Sequence, residues 1–156
     1  VENYRRLTRI PAPIRTQISI AELFTDLKKL FPEEEFQFEV PSPELKLNVD
    51  RAQIEQILIN LLKNAREACS RKSDKKIQVK ARKLSAGNTT LTISDNGEGI
   101  LPDVLDKIFV PFFTTKTSGS GIGLSLCKQI MTLHEGSINV KSEVGKGSSF
   151  ILTFPK

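Results

Sequence analysis

Between Asp50 and Ala68 the chain carries Ile54, Ile57, Leu58, Leu61, Leu62, Ala65 and Ala68 at helical spacing. No other segment constrains the fold as strongly, because a helix with one continuous apolar stripe must bury that face against a second layer. The same chain supplies that layer. KIQVKARKL (76–84) and NTTLTIS (88–94) alternate at period two on either side of SAG, and GSINVKS and SSFILTF do so around EVGKG. Each pair reads as an antiparallel hairpin. Ser19 and Glu22 form a capping box ahead of Leu23, Phe24, Leu27, Leu30 and Phe31, which predicts an earlier helix ended by Pro32. A third helix is expected from about 124 to 133 and a short one over 101–109, while FQFEV (36–40) and KLNV (46–49) read as short strands. The order helix, strands, helix, hairpin, helix, hairpin predicts an α+β fold. It is a two-layer α/β sandwich, with a mixed, mostly antiparallel sheet and about three helices on one face. The regular strand and helix alternation of a doubly wound fold is missing.

With 156 residues, 38% of them hydrophobic, the chain can build one domain with its own core but not two sizeable ones. Its 23 basic and 18 acidic residues, a net +5, are interspersed with no dense basic tract. Tyr4 is the only tyrosine and tryptophan is absent, so the aromatic platform of a single-strand reader is lacking and no nucleic-acid partner is expected. Cys69 and Cys127 sit among apolar residues in expected helices and read as reduced thiols in an intracellular setting. No apolar run is long enough to span a bilayer, and no signal peptide opens the chain. Val1 in place of a starting Met suggests an excised piece. Residues 1–17, VENYRRLTRIPAPIRTQ, read as the end of a helix and a connector stiffened by Pro11 and Pro13, leaving 18–156 as the domain.

Four segments carry candidate chemistry. SGSGIGLSL (118–126) alternates Gly119, Gly121 and Gly123 with small or apolar residues ahead of a helix. It suits a backbone loop that touches a ligand and a plain linker equally, and it fits neither the P-loop nor the dinucleotide fingerprint. Asn60, Asn64 and Glu67 share roughly one face of the long helix. That face is either an oxygen-ligand site able to hold Mg²⁺ with nucleotide phosphates, or a polar face kept soluble by Lys63 and Arg66. In TISDNGEGI (92–100) a strand runs into Asp95, Asn96, Gly97, Glu98 and Gly99, which suits both a turn and a carboxylate that accepts an exocyclic base amine. KIFVPFFTTK (107–116) puts Phe109, Phe112 and Phe113, expected as core, ahead of Lys116, a point charge suited to phosphate.

Taken in order, NLLKNAREA (60–68), DNGEGI (95–100), KIFVPFFTTK (107–116) and GSGIGLSLCKQI (119–130) resemble the N box, first glycine box, F box and second glycine box of one family. The chain resembles the catalytic and ATP-binding domain of sensor histidine kinases from about Ala21 to Lys156. That domain has the Bergerat-type ATP-binding fold shared with gyrase, Hsp90 and MutL. The resemblance implies that Asn64 coordinates Mg²⁺ on the ATP phosphates with Asn60 assisting. It implies that Asp95 binds the adenine amine, that Gly97 and Gly99 shape its pocket, and that Lys63 and Lys116 approach the phosphates. Gly119, Gly121 and Gly123 become the hinge of an ATP lid, with Ser120, Ile122 and Leu124 beside them and Ile100 and Phe113 lining the pocket. Ser148, where the family usually has threonine, keeps the hydroxyl that helps hold adenine.

Two positions depart from relatives. Glu67 stands where some kinases place a basic residue and stays a secondary candidate. Asn60 stands where gyrase-like and MutL-like ATPases carry a water-activating glutamate; asparagine is a poor general base, which points to phosphoryl transfer onto a protein group. His134, the sole histidine, reads as a structural residue at a helix end and not as the phospho-acceptor.

The resemblance therefore implies an ATP-dependent protein-histidine kinase domain. Its acceptor lies in a preceding dimerisation domain of the same homodimeric protein, whose last helix and exit linker resemble residues 1–17 in the nitrogen-regulation-type kinases. The phosphate goes on to a response-regulator aspartate. The domain is expected in the cytoplasm, with inner-membrane anchoring of the full-length protein left open. An inactive ATP-binding scaffold and an anti-sigma-type serine kinase are the competing readings. If the alternating glycines serve a lid, Gly121→Ala weakens ATP binding more than it lowers domain stability; nucleotide titration beside urea melts checks this, and equal losses would return the stretch to a plain turn.

Overall fold

The computed structural model describes residues 10–40, 42–113 and 123–156. The expectations for residues 1–9 and for Lys116, Gly119, Ser120, Gly121 and Ile122 lie outside the described residues. The elements run β1 (Thr16–Ser19), α1 (Ile20–Leu30), β2 (Phe36–Glu39), β3 (Lys46–Val49), α2 (Arg51–Ala68), β4 (Ile77–Lys83), β5 (Thr89–Asp95), α3 (Pro102–Leu105), α4 (Gly123–Leu133), β6 (Ser137–Glu143) and β7 (Gly147–Phe154).

Five strands form one sheet in the order β2-β4-β5-β7-β6, with β2 parallel to β4 and every other neighbour antiparallel. This is the expected mixed, mostly antiparallel sheet. Period-two alternation sorts its two faces. Ile77, Val79, Ala81, Leu91, Ile93, Phe150, Leu152 and Phe154 are buried on one side. Thr90, Thr92, Ser94, Ser149 and Thr153 occupy the other, where the Ser94 and Ser149 hydroxyls meet at 2.8 Å. The buried face packs with α1, α2 and α4 into a single core.

Burial of the apolar stripe holds α2 in place. Ile54, Ile57, Leu58, Leu61 and Leu62 are each no more than 1% exposed, and burying five such side chains is worth on the order of 10 kcal/mol. The Asp50 carboxylate caps the helix by accepting from the Gln53 N–H at 3.2 Å, a contribution of about 1 kcal/mol. Packing therefore makes the helix, and the cap decides where it begins. Ser19 caps α1 in the same way, accepting from the Glu22 N–H at 3.2 Å.

Three expectations change. Thr16 and Gln17, read as connector, open β1, and β1 pairs with β3 in a separate two-stranded sheet. Thr16 and Gln17 are exposed, so β1 shows little of the alternation that marks a strand in sequence. The helix expected over 101–109 shrinks to one turn, because α3 buries no side chain that would extend it. The three phenylalanines are not all core. Ile108 is the buried residue of that segment, Phe109 and Phe113 are half-buried, and Phe112 is 46% exposed. The cause is a tight turn closed by the Phe113 N–H donating to the Val110 carbonyl at 3.2 Å. Pro111 takes its second position and Phe112 its third, with φ of +68°, a left-handed geometry that usually needs glycine.

Among the described residues, no helix is long and apolar enough to cross a membrane. The Asp50 carboxyl is held below its ordinary value of 3.8, first by the Ile14 N–H, against the opposing effect of burial. The native state thus binds this proton less tightly than the unfolded chain. The resulting stability is present above pH 3.8 and lost as pH falls through the lowered native value. Asp50→Ala should cost about 1 kcal/mol at pH 7 in urea melts, and the gap between the two proteins should narrow in acid.

Candidate functional site

The polar ridge of α2 continues past its buried stripe. Asn60 and Asn64 lie half-buried on it, and Lys63 and Glu67 are exposed. At the near end of the ridge the Asn60 amide donates to the Cys127 sulfur on α4 at 3.9 Å. Burial pushes the Cys127 thiol up to about 12, against the lowering effect of that hydrogen bond. Gly123, the first residue of α4, faces the same side chain: a Cβ there would lie 3.8 Å from Asn60 Cγ. The start of α4, with Leu124 half-buried beside Gly123, therefore stands over Asn60.

At the far end of the ridge the loop after β5 meets the last residues of α2. The Glu98 N–H donates to the Ala68 carbonyl at 3.2 Å. Gly97 is buried there, and a Cβ on it would come within 2.5 Å of the Ala68 oxygen. Gly99 has φ of +78° and would place a Cβ 2.3 Å from the Glu143 carbonyl oxygen. Both glycines are thus demanded by close backbone approach. Asn96 serves the loop's footing: its side chain accepts from the Lys76 N–H at 2.9 Å and donates to the Asp74 carbonyl at 2.8 Å.

Asp95 ends β5 directly opposite Ser148 on β7. Its carboxylate accepts from the Gly97 N–H at 2.8 Å. Burial raises its pKa above the ordinary 3.8, against the lowering effect of backbone hydrogen bonds from Gly97 and Ser148. The Ser148 hydroxyl, buried, pairs with Ser142 on β6 at 2.8 Å, and the Ser142 oxygen also accepts from the Ile100 N–H at 2.8 Å. Ser142 went unremarked in the sequence, although the register of the last hairpin puts it opposite Ser148. Nothing in the sequence marks Cys127 as a neighbour of Asn60.

Asp95, Gly97, Gly99, Ile100 and Ser148 are therefore one cluster, and Asn60, Gly123 and Leu124 a second, with α2 running between them. Asn60 and Ala68 are eight residues apart, about 12 Å along a helix axis. His134 stands away from both, 2% exposed, with Nδ1 2.9 Å from the Ile130 carbonyl and Nε2 accepting from the Asp50 N–H at 3.1 Å. The structural reading of this histidine holds. A cavity of about 470 Å³ lined by Arg15, Lys83, Thr89, His134 and Phe154 opens at the opposite end of β5 from Asp95, about 20 Å away along the strand. It contains none of the residues that the resemblance assigns to nucleotide.

Comparison with known proteins decides the family. Residues 49–156 match the family described as "Histidine kinase-, DNA gyrase B-, and HSP90-like ATPase". The chain belongs to this family. Its ATPase-family fold matches the nucleotide-free catalytic domain of the histidine kinase ThkA with a TM-score of 0.80 and 34% identity, over 91% of this chain and 95% of that one. A structure of ThkA in complex with the response regulator TrrA matches with a TM-score of 0.79 and 28% identity, over 99% of this chain and 46% of that one. Among curated proteins, the sensor histidine kinase ZraS of Salmonella typhimurium is 39% identical over 110 residues, 70% of this chain and 23% of ZraS. The signal transduction histidine-protein kinase AtoS of Escherichia coli is 42% identical over 109 residues, 70% of this chain and 18% of AtoS. The chain thus spans under a quarter of either relative's length.

The two glycines facing α2 should respond differently to alanine. Gly97→Ala drives a methyl into the Ala68 backbone and should cost about 1–3 kcal/mol. Among the described residues, Gly123→Ala meets only Asn60 at ordinary contact distance and should be neutral or stabilising by up to about 1 kcal/mol. Urea melts of both variants check the contrast.

Proposed function

We propose that the chain is the ATP-binding catalytic domain of a sensor histidine kinase, with the nucleotide lying along the polar ridge of α2. The observation that carries this reading is Asp95, a half-buried carboxylate fixed at a strand end by the Gly97 and Ser148 N–H groups. A carboxylate so fixed accepts the exocyclic amine of adenine, with Ser148, Gly97, Gly99, Ile100 and Phe113 around the ring. The 12 Å or so from there to Asn60 suits a nucleoside triphosphate, which brings the phosphates to Asn60, Asn64 and Lys63. Gly123 and Leu124, at the start of α4, border that phosphate end, and the roles that the resemblance implies for Lys116, Gly119, Ser120, Gly121 and Ile122 concern residues outside those described.

No cluster of three or more histidine, cysteine or acidic side chains forms among the described residues. The neutral amide oxygens of Asn60 and Asn64 instead suit a hard cation that keeps phosphate and water ligands, so Asn64, helped by Asn60, would hold Mg²⁺. When bound, the ion offsets phosphate charge. The chain's own residues orient the triphosphate and exclude water. Asn60 is too poor a base to activate water, which supports transfer to a protein acceptor.

The acceptor is a histidine in a dimerisation domain preceding this one, joined through the residues ahead of β1 as in nitrogen-regulation-type kinases, in a homodimeric protein. The bond from the γ-phosphorus to the bridging oxygen breaks, a bond to the imidazole nitrogen forms, and ADP leaves. The phosphoryl group then passes to a response-regulator aspartate. The domain works in the cytoplasm, with the parent protein anchored in or free of the inner membrane.

Titration with a fluorescent ATP analogue tests the site. Asp95→Asn should weaken binding at least tenfold, about 1.4 kcal/mol, and Asn64→Ala should remove the Mg²⁺ dependence. Stability should not follow affinity for Asp95→Asn. Because the native state binds the Asp95 proton more tightly than the unfolded chain, this group's contribution is full below pH 3.8 and lost as pH rises through its raised value. Ionised Asp95 therefore burdens the fold at pH 7, and its replacement should leave the urea midpoint unchanged or higher there. Unaltered affinity in both variants would overturn the site.

A further inference from the structure

The segment Pro11–Arg15 precedes the first strand, yet it is bonded to α2, which carries the ridge, and to α4, which stands over it. The Gln53 side chain on α2 donates to the Pro11 carbonyl at 2.9 Å, and the Ile14 N–H donates to the Asp50 carboxylate at 3.0 Å. Arg15 donates to the Leu133 carbonyl at the end of α4 at 3.0 Å and lies 4.0 Å from the Glu135 carboxylate. Asp50 and His134 join the two sides. One Asp50 oxygen caps α2 and the other takes the Ile14 N–H, while the Asp50 N–H donates to His134 Nε2. The Ile130 carbonyl can only accept, so Nδ1 of His134 carries its ring proton and Nε2 is free to receive.

These ties hold α2 and α4 together at one end, and the Asn60 contacts with Cys127 and Gly123 lie further along the same two helices. Burial of its stripe fixes α2, so a change at the tied end falls on α4 and alters the gap at the other end. The Ile14 and Arg15 ties are exposed, with Ile14 at 79%, and polar bonds at exposed positions are individually weak, while the bond from Gln53 to Pro11 is part-buried. Docking can therefore be undone without unfolding the domain.

We propose that Asp50 and His134 are positioning residues for the nucleotide site, through which the docking of Pro11–Arg15 sets the spacing of α2 and α4. The inference rests on the nucleotide reading given above. Coupling between two sites is reciprocal: if docking favours nucleotide, nucleotide must favour docking by the same factor.

The test uses the 156-residue chain, a non-hydrolysable ATP analogue with Mg²⁺, and amide hydrogen exchange at Ile14. Arg15→Ala, at an exposed position, and Asp50→Asn, which keeps a capping oxygen, should each weaken the analogue about fivefold, at the lower end of allosteric couplings. Saturating analogue should slow Ile14 exchange in the unaltered chain by the same factor, and by less in Arg15→Ala. A residue with only a structural role would leave the Ile14 rate indifferent to nucleotide. If the analogue binds and Ile14 exchanges at one rate with and without it, or both variants bind within twofold of the unaltered chain, the coupling is overturned while the nucleotide site stands. If the analogue does not bind the unaltered chain, both readings fall together.

Discussion

Burial of the α2 stripe against the inward face of the sheet is the interaction on which the rest depends. It fixes the helix by its apolar side, and so fixes where its polar border must lie. Asn60 and Asn64 are not carried by a loop that could drift. They ride a helix whose neighbouring residues are fully buried. A site on so rigid an element keeps its geometry at little cost in ordering when a ligand arrives.

The second wall depends on the same contact less directly. Asp95 owes its place to the register of β5 with β7, and the loop beyond it is braced against the end of α2 at Ala68. Gly97 and Gly99 occupy points where one backbone passes another too closely for a side chain. The carboxylate sits where its charge is unfavourable to the fold, which is a common condition of groups kept for chemistry.

Much of this was legible in the sequence for identifiable reasons. The α2 stripe and the alternation of the two hairpins have clear periods, so the layers and the mixed sheet could be read directly. Both cap signals, Ser19 with Glu22 and Asp50 with Gln53, act over three residues and were equally plain. What was hidden depended on partners far away in the chain. Nothing in TQIS announces a strand until KLNV pairs with it. Phe112 looks like core until the turn around Pro111 swings it outward. Gly97 reads as shaping a ligand pocket, and its close contact with α2 adds a second demand that the sequence does not show. Ser142 and Cys127 are ordinary in sequence and gain meaning only from what lies opposite them. His134 reads as structural from its place at a helix end, but its tie is to Asp50, 84 residues away in the chain.

The thiol beneath Asn60 has a chemical consequence of its own. With a pKa near 12 and no exposure, Cys127 stays protonated at physiological pH and beyond the reach of oxidants and alkylating reagents. The same atom lies at the seam where α4 meets α2. Its labelling rate is therefore a clock for parting of that seam, counted in bond-forming events instead of in bound ligand. This protein comes with its own timing device, set where the two helices meet.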